Sequence, residues 1–511
     1  MPNASIYAAF EMAFAEHADR TAFEGADVAP TSYRALAGAV DAMAGALDDL
    51  GVQPGDRVMA QIEKSHASVV LYLATLKVGG VYNPLNTAYT AAELDYFITD
   101  AEPRVIVIDP AKTDTLTPVA MRAGVAHVET LDAAGRGSLA DKQQATATRV
   151  ATAVRAGDDL AALLYTSGTT GRSKGAMITH RNLASNARTL VALWGITSDD
   201  VLIHALPIFH VHGLFVALNT AFVAGARMLW HARFDADAVL DDMPKATMMM
   251  GVPTFYTRLL ANDRLTREHA ASMRLFISGS APLLAETHDA FTERSGQRIL
   301  ERYGMTEAGM ITSNPYRRGE RVAGTVGYPL DGVQVRIADD NGTPVATGEV
   351  GVLEVRGPNV FIGYWRMPEK TAEEFRDDGF FVSGDLAMAD ADGRISIVGR
   401  AKDLIISGGY NIYPKEIEDA LNAIDSVGES AVIGVPHADF GEAVVAVVTP
   451  SGQAGAPNPD AIVSGLAEQL ARFKLPKAVI VAETLPRNAM GKVQKAELRA
   501  RHKDAVQPPR S

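Results

Sequence analysis

Cysteine is absent from all 511 residues. Its absence excludes disulfides, thiolate metal sites and covalent catalysis through a protein thiol, and it suits a reducing compartment. Positive charge is in deficit: 48 Lys and Arg stand against 61 Asp and Glu, a net charge of −13. Nucleic acid, whose binding draws mainly on phosphate neutralisation, is not an expected partner. A local basic pocket for a small anion remains compatible. No long apolar run is uninterrupted. The best candidate, "GLFVALNTAFVAGARMLW" from Gly213 to Trp230, is broken by Asn219, Thr220 and Arg227. It reads as a buried helix leading into a strand, not a membrane span. The opening "MPNASIYAAFEMAFAEHADR" carries acids and has no basic start ahead of an apolar core. No signal peptide is expected, and the expected location is cytoplasmic.

What the chain does contain is apolar substance, 47% of residues, enough for sizeable cores. Between Gly51 and Pro110, "DRVMAQI", "ASVVLYLATLKVGGVYNPL" and "PRVIVIDP" alternate strand-like and helix-like runs, and "MRLFISGSAPL" continues the theme. Short β-branched runs followed by helical ones predict βαβ units on parallel sheets. From about Gly327 to Ile397 the texture changes. "GVQVRIADDNGTPVATGEVGVLEVRG" has closely spaced strands around a "DDNG" turn, predicting a β-rich subdomain. A small α+β domain is predicted after Gly399, behind a polar, glycine-bearing entrance that suits a hinge.

The stretch "ALLYTSGTTGRSKGAM", residues 162–177, sets an apolar run against a burst of Ser, Thr and Gly with two cations and no acid. A nucleotide-kinase loop would need Gly where Ser173 stands and Ser or Thr where Gly175 stands. "GRSKG" matches a hydrolase nucleophile elbow, but an elbow needs its strand directly before the turn, and here a hydroxyl-rich segment intervenes. A phosphate-gripping loop uses every feature: glycines let backbone N–H groups approach an anion, Thr166, Ser167, Thr169 and Thr170 add neutral donors, and Lys174 adds a point charge. A solvent-exposed polar loop is the alternative if the stretch is taken singly.

It does not stand singly. "YTSGTTGRSKG" at 165–175, "SGSAPL" at 278–283, "ERYGMTE" at 301–307, "GYW" at 363–365, "DDGFFVSGDL" at 377–386, "GRAKDLIISGGYNIYPKEIE" at 399–418 and "LPRNAMGKVQK" at 485–495 follow in order. The chain resembles the acyl-adenylate-forming (AMP-dependent acyl-CoA synthetase) superfamily in all of them. The resemblance implies an α/β fold: a large N-terminal domain of two stacked α/β subdomains plus a β-barrel-like subdomain, residues 1–399, a hinge at 400–402, and a small mobile α+β lid, residues 403–511. It implies a carboxylate attacking the α-phosphate of ATP, then a thiol displacing AMP, with magnesium and coenzyme A required.

Residue by residue, the resemblance gives ATP to Thr166, Ser167, Gly168, Thr169, Thr170, Gly171 and Lys174, to Ser278, Gly279 and Ser280, and to Glu301, Arg302, Tyr303, Gly304, Met305 and Thr306, with Tyr303 as the adenine's stacking face. Glu307, beside Thr306, is the implied magnesium ligand. Asp385 takes the ribose hydroxyls and Arg400 assists. Lys492 is the implied adenylation lysine, Lys402 the pivot, and Ser407, Gly408 and Gly409 shape the pantetheine path. Taken alone, each of these has a plainer reading as a surface charge, a turn residue or a cap.

The acyl pocket is expected from His210, Val211, Arg258, Arg302 and Met310, with His210 also among the catalytic residues. A cation at position 302, where aryl-CoA synthetases commonly carry glycine, points to an anionic substrate tail. "IHALPIFHVHGL" and "MGVPTFYTRLL" resemble the malonyl-CoA synthetase branch, implying malonate, with methylmalonate a further candidate. His210 and His212 as a metal pair lack a carboxylate partner. Three alternatives are weighed: loading of a carrier protein, with no carrier signature in the chain; a non-catalytic nucleotide sensor, against which Lys492 and Glu307 stand intact; and a ligase for a small, medium-chain or aryl monocarboxylate, against which Arg302 argues. The expected partners are small molecules only.

Overall fold

The computed structural model describes residues 3–25, 28–166, 173–317, 319–407, 410–437, 440–452, 455–488 and 491–506. The chain divides into two compact units. The first comprises residues 1–323, 327–334 and 355–381; the second comprises 324–326, 335–354 and 382–511.

The first unit is built on two sheets. One has nine strands, and its interior strands Thr21–Gly25, Arg227–Trp230, Val201–His204, Met248–Gly251, Leu275–Ser278 and Ile299–Met305 run parallel. The other has six strands, parallel except for the hairpin of Leu160–Thr166 with Lys174–Thr179. Between them lies the helix His66–Lys77, in which every residue from Ser68 to Lys77 is buried. A helix apolar on all sides has no face to offer water. Its Tyr72 ring meets Tyr82 of the six-stranded sheet at 5.2 Å, and its His66 ring meets Phe23 of the nine-stranded sheet at 5.5 Å. The expected pair of α/β layers is present. Gly213–Trp230 is the predicted buried helix and strand: a π-helix His212–Leu218, a helix Asn219–Ala224 and the strand Arg227–Trp230. Among the described residues no helix is long and apolar enough to cross a membrane.

The β-rich stretch forms a four-stranded sheet of Gln334–Ala338, Gly351–Arg356, Phe381–Ala389 and Ile395–Arg400. The "DDNG" turn is closed by the Asp339 carboxylate, which accepts from the Asn341 and Thr343 amides. The remaining sheet of the second unit centres on Val427–His437 and Gly441–Pro450. Strand alternation sends Val432, Val444, Ala446 and Val448 to one face, with Ile417, Leu421, Ile462 and Leu466. It sends Ile433, Val435, Val445 and Val447 to the other, with Leu485 and Leu498. Both faces are covered, so these strands read as continuous apolar runs.

Candidate active site

The strand Leu160–Thr166 delivers the chain to the Gly/Ser/Thr loop, and the chain returns as an antiparallel strand with Lys174 opposite Thr166. A strand follows the loop, whereas a nucleophile elbow or a kinase loop leads into a helix. Both rival readings fail on this point. Ser167, Gly168, Thr169, Thr170 and Gly171 lie outside the described residues. The helix Ala91–Ala101 holds both flanks of the loop: the Tyr96 hydroxyl donates to the Ser173 carbonyl at 2.8 Å, and the Tyr165 hydroxyl donates to Asp100 at 2.6 Å.

The "GYW" segment lies along the returning strand. Met177 donates its amide to the Gly363 carbonyl and Trp365 to Gly175, at 3.0 and 2.7 Å, and Phe361 donates to the Glu307 carbonyl at 2.7 Å. This strapping assembles a chain of charge. Lys174 Nζ is 2.7 Å from Glu374 Oε1 and 4.0 Å above the Tyr364 ring. The Tyr364 hydroxyl is 2.7 Å from Glu374 Oε2 and 3.1 Å from Glu307 Oε1. Glu307 is buried, and burial pushes its carboxyl above its ordinary value, against the pull of Tyr364 and Lys174. A carboxylate stripped of water favours a cation beside it. Among the described residues no cluster of three acids or histidines could bind a metal by itself. One carboxylate with a neighbouring hydroxyl, that of Thr306, fits magnesium, which takes one or two carboxylates and fills its shell with substrate phosphates and water.

Arg302 sits on the strand Ile299–Met305, 3% exposed, with Nε and Nη2 lacking any partner. Burial pushes the guanidinium well below its ordinary value. Room for it comes from Gly279, where a Cβ would lie 2.4 Å from Arg302 Cζ. Gly304 is equally constrained: a Cβ there would lie 2.1 Å from the Gly309 carbonyl and 2.5 Å from Met310 Cε. Val211 and Met310 are buried, as are Ser278 and Glu301. Tyr303, Met305 and Thr306 are half-buried beside them. The His210 ring accepts the His212 amide at 3.4 Å.

Arg258 is placed elsewhere. It is exposed on the helix Pro253–Leu260 and lines a cavity of about 300 Å³ with Phe209, Phe234, Phe255 and Lys64. Arg302 is not among the residues lining that cavity.

In the second unit, antiparallel pairing sets Asp385 opposite Arg400, whose Nε is 2.6 Å from Asp385 Oδ1. The Asp385 amide donates to Ser383 Oγ at 3.1 Å. Lys402 is exposed on the short 3-10 turn Ala401–Asp403, and Ser407 is buried on the strand Ile405–Ser407. Gly408 and Gly409 lie outside the described residues. Lys492 is exposed on a turn closed by Asn488, which accepts its amide at 3.0 Å.

Sequence reasoning missed Tyr364 and Glu374. "GYW" marked the segment without giving it a role, and Glu374 sits in "TAEEF", which has the look of a solvated helix face.

Residues 10–365 match the family model of the AMP-binding enzymes, and residues 416–492 match that of the AMP-binding enzyme C-terminal domain. The chain belongs to the AMP-binding enzyme family. It is similar to a feruloyl-CoA synthase from an Amycolatopsis species, 36% identical over 92% of this chain and 94% of the relative. It is similar to the mitochondrial malonate–CoA ligase of Mus musculus, 36% identical over 87% of this chain and 81% of the relative. The crystal structure of ATP-bound MatB from Rhodopseudomonas palustris superposes with a TM-score of 0.96 at 55% identity, covering 99% of this chain and 100% of that one.

Proposed function

We propose that the chain ligates malonate to coenzyme A through a malonyl-adenylate, consuming ATP and releasing pyrophosphate and AMP. Methylmalonate is the second acid of this reading. The observation that carries it is Arg302, a buried cation with two open donors, together with the 55% identity to MatB. An aryl acid such as ferulate would leave that cation unpaired, at a cost of several kcal/mol. The distal carboxylate of a short dicarboxylate pairs with it through charge-assisted bonds.

In the first step one oxygen of the reacting carboxylate bonds to the α-phosphorus, and the bond from that phosphorus to pyrophosphate breaks. Two anions must meet, so charge has to be neutralised. Glu307, with the Thr306 hydroxyl, would hold magnesium, which would supply positive charge to the triphosphate. Lys174 loosens from Glu374 to meet phosphate, and Tyr364 keeps Glu307 oriented. Tyr303 stacks on adenine, and Asp385, steered by Arg400, accepts from the ribose hydroxyls. Lys492 supplies a further cation from its exposed turn. In the second step the thiol sulfur bonds to the acyl carbon and AMP leaves with the former carboxylate oxygen.

This reading divides the chain into a catalytic domain 1–399, a hinge at 400–402 and a lid 403–511. Lys402 acts as the pivot, and Ser407, Gly408 and Gly409 serve the thiol step. Withdrawal of the Lys492 loop between steps is a form of domain gating. The location is cytoplasmic, in keeping with the absence of cysteine and of any long apolar helix among the described residues.

The test is pyrophosphate release with malonate, methylmalonate, succinate, acetate, octanoate, coumarate and ferulate, using coenzyme A and then a carrier protein as thiol. Malonate with free coenzyme A should lead. A preference for ferulate or coumarate would replace the malonate reading with an aryl one.

A further inference from the structure

Two buried groups with open polar atoms flank one turn. Arg302 Nε and Nη2 have no partner, and neither has His212 Nε2. His212 is 1% exposed. The turn between them is Gly279–Ser280: a Cβ on Gly279 would strike the Arg302 guanidinium at 2.4 Å, while Ser280 Oγ lies 3.2 Å from His212 Nδ1. Ser280 holds φ at +72°. For a residue with a side chain that left-handed conformation costs of order 1 kcal/mol and points to function when the surroundings enforce it.

The backbone carrying His212 is fixed from behind. The Gly213 carbonyl accepts from His204 Nε2 at 2.9 Å, and the other nitrogen of that ring, Nδ1, is 2.9 Å from Lys64 Nζ. Lys64 also donates to the carbonyls of His204 and His231, at 2.9 and 2.6 Å. A lysine holding three acceptors locks the segment that presents His212. At Gly213 a Cβ would lie 2.1 Å from the Pro207 carbonyl, so only glycine allows this path.

We propose that His212, held in one tautomer by the Ser280 hydroxyl, donates Nε2–H to the distal carboxylate of the acid substrate beside Arg302, and so sets the preference for dicarboxylates. This inference rests on the dicarboxylate reading of Arg302. The ring is buried and the charge of Arg302 bears on it, with His210 and His204 adding to the same effect; all keep the imidazole neutral, well below its ordinary titration. A neutral ring has one N–H. In the proposed tautomer Ser280 donates to Nδ1 and the ring hydrogen sits on Nε2. The site then offers one positive charge and one extra neutral donor, matched to one carboxylate.

The experiment compares kcat/KM for malonate and butyrate in the full-length chain carrying His212→Leu, His212→Gln, Ser280→Ala or Ser280→Gly. His212→Leu should lower malonate turnover per unit KM about 10- to 100-fold, mostly through the KM for malonate, the range expected for a hydrogen bond to a charged group. Butyrate should change little, and the KM for ATP should hold. His212→Gln, which puts an N–H near the Nε2 position, should recover most of the preference. Ser280→Ala and Ser280→Gly should both reduce the malonate-to-butyrate ratio several-fold, although only glycine relieves the backbone. Equal losses for malonate and butyrate, or His212→Gln as damaging as His212→Leu, would overturn the proposal in favour of a purely structural histidine. Should His212→Leu fail to fold, the two Ser280 variants decide: an unchanged ratio overturns it. A wild-type chain that shows no preference for malonate over butyrate would instead mean that the reading of Arg302 has failed.

Discussion

Gly279 has no side chain where Arg302 needs room: a Cβ there would lie 2.4 Å from the guanidinium carbon. Adding one methyl group therefore acts on the proposed partner of the substrate carboxylate rather than on the core. Gly279→Ala is expected to raise the KM for malonate by at least tenfold while the melting temperature falls by a few degrees at most, about 1 kcal/mol of overpacking in a chain of this size. Thermal melts and malonate titrations on the same preparation check this. Unchanged malonate kinetics would mean that the guanidinium can retreat at no cost.

Arg302→Gly removes the cation itself. Loss of one partner of a buried charge pair costs roughly 2–5 kcal/mol, about 30- to several-thousand-fold in kcat/KM for malonate. Butyrate should improve relative to malonate, because nothing is left unpaired. Retention of the full malonate preference would refute the role of Arg302. Arg258→Ala, on a different recess, is expected to add its effect independently rather than share it.

Glu307→Gln should weaken the magnesium dependence of pyrophosphate release and slow adenylation. Burial holds the Glu307 carboxyl above its ordinary value, so the charged form is lost at a higher pH than for a surface glutamate. The magnesium requirement should therefore rise as pH falls toward that raised value, and this rise should vanish in the variant. A magnesium titration with the same midpoint and pH response in both proteins counts against Glu307 as the ligand.

Tyr364→Phe deletes the hydroxyl that lies between Glu307 and Glu374. Glu307 then faces Glu374 without the hydroxyl between them, while Lys174 still pairs with Glu374. A loss of about 1–3 kcal/mol is expected, read as a 5- to 150-fold slower adenylation at limiting magnesium and partly restored by excess metal. Full activity at limiting magnesium would make Tyr364 a packing residue only.

Lys492→Ala should block adenylate formation from malonate and ATP. Thioester formation from supplied malonyl-adenylate should survive largely intact. Comparable damage to both half-reactions would argue against a lysine used in one step only.

Much of this protein is legible in its sequence because the signals are local. Alternating strand-like and helix-like runs announced the parallel sheets, and the change of texture after Gly399 announced a small α+β domain. Polar breaks in Gly213–Trp230 argued against a span, and residue type at Ser173 and Gly175 set aside a kinase loop, whereas the nucleophile elbow matched by residue type and failed on the strand that follows the loop. Those readings depend on neighbours within a few positions, and periodicity records them.

Other features depend on which distant segments meet, and only the tertiary structure decided them. Glu374 is 200 residues from Lys174 and forms its ion pair, a pairing no spacing in the chain could reveal. Arg302 and Arg258 looked alike as candidate cations, yet burial separated them: one is sealed behind Gly279 with donors open, the other is exposed at the rim of a cavity. His212 looked like half of a weak metal pair until the turn at Ser280 was brought against its ring. Residue type and order determined the chemistry available to this chain; desolvation and long-range contact, which exist only after folding, determined which of those groups are poised to use it.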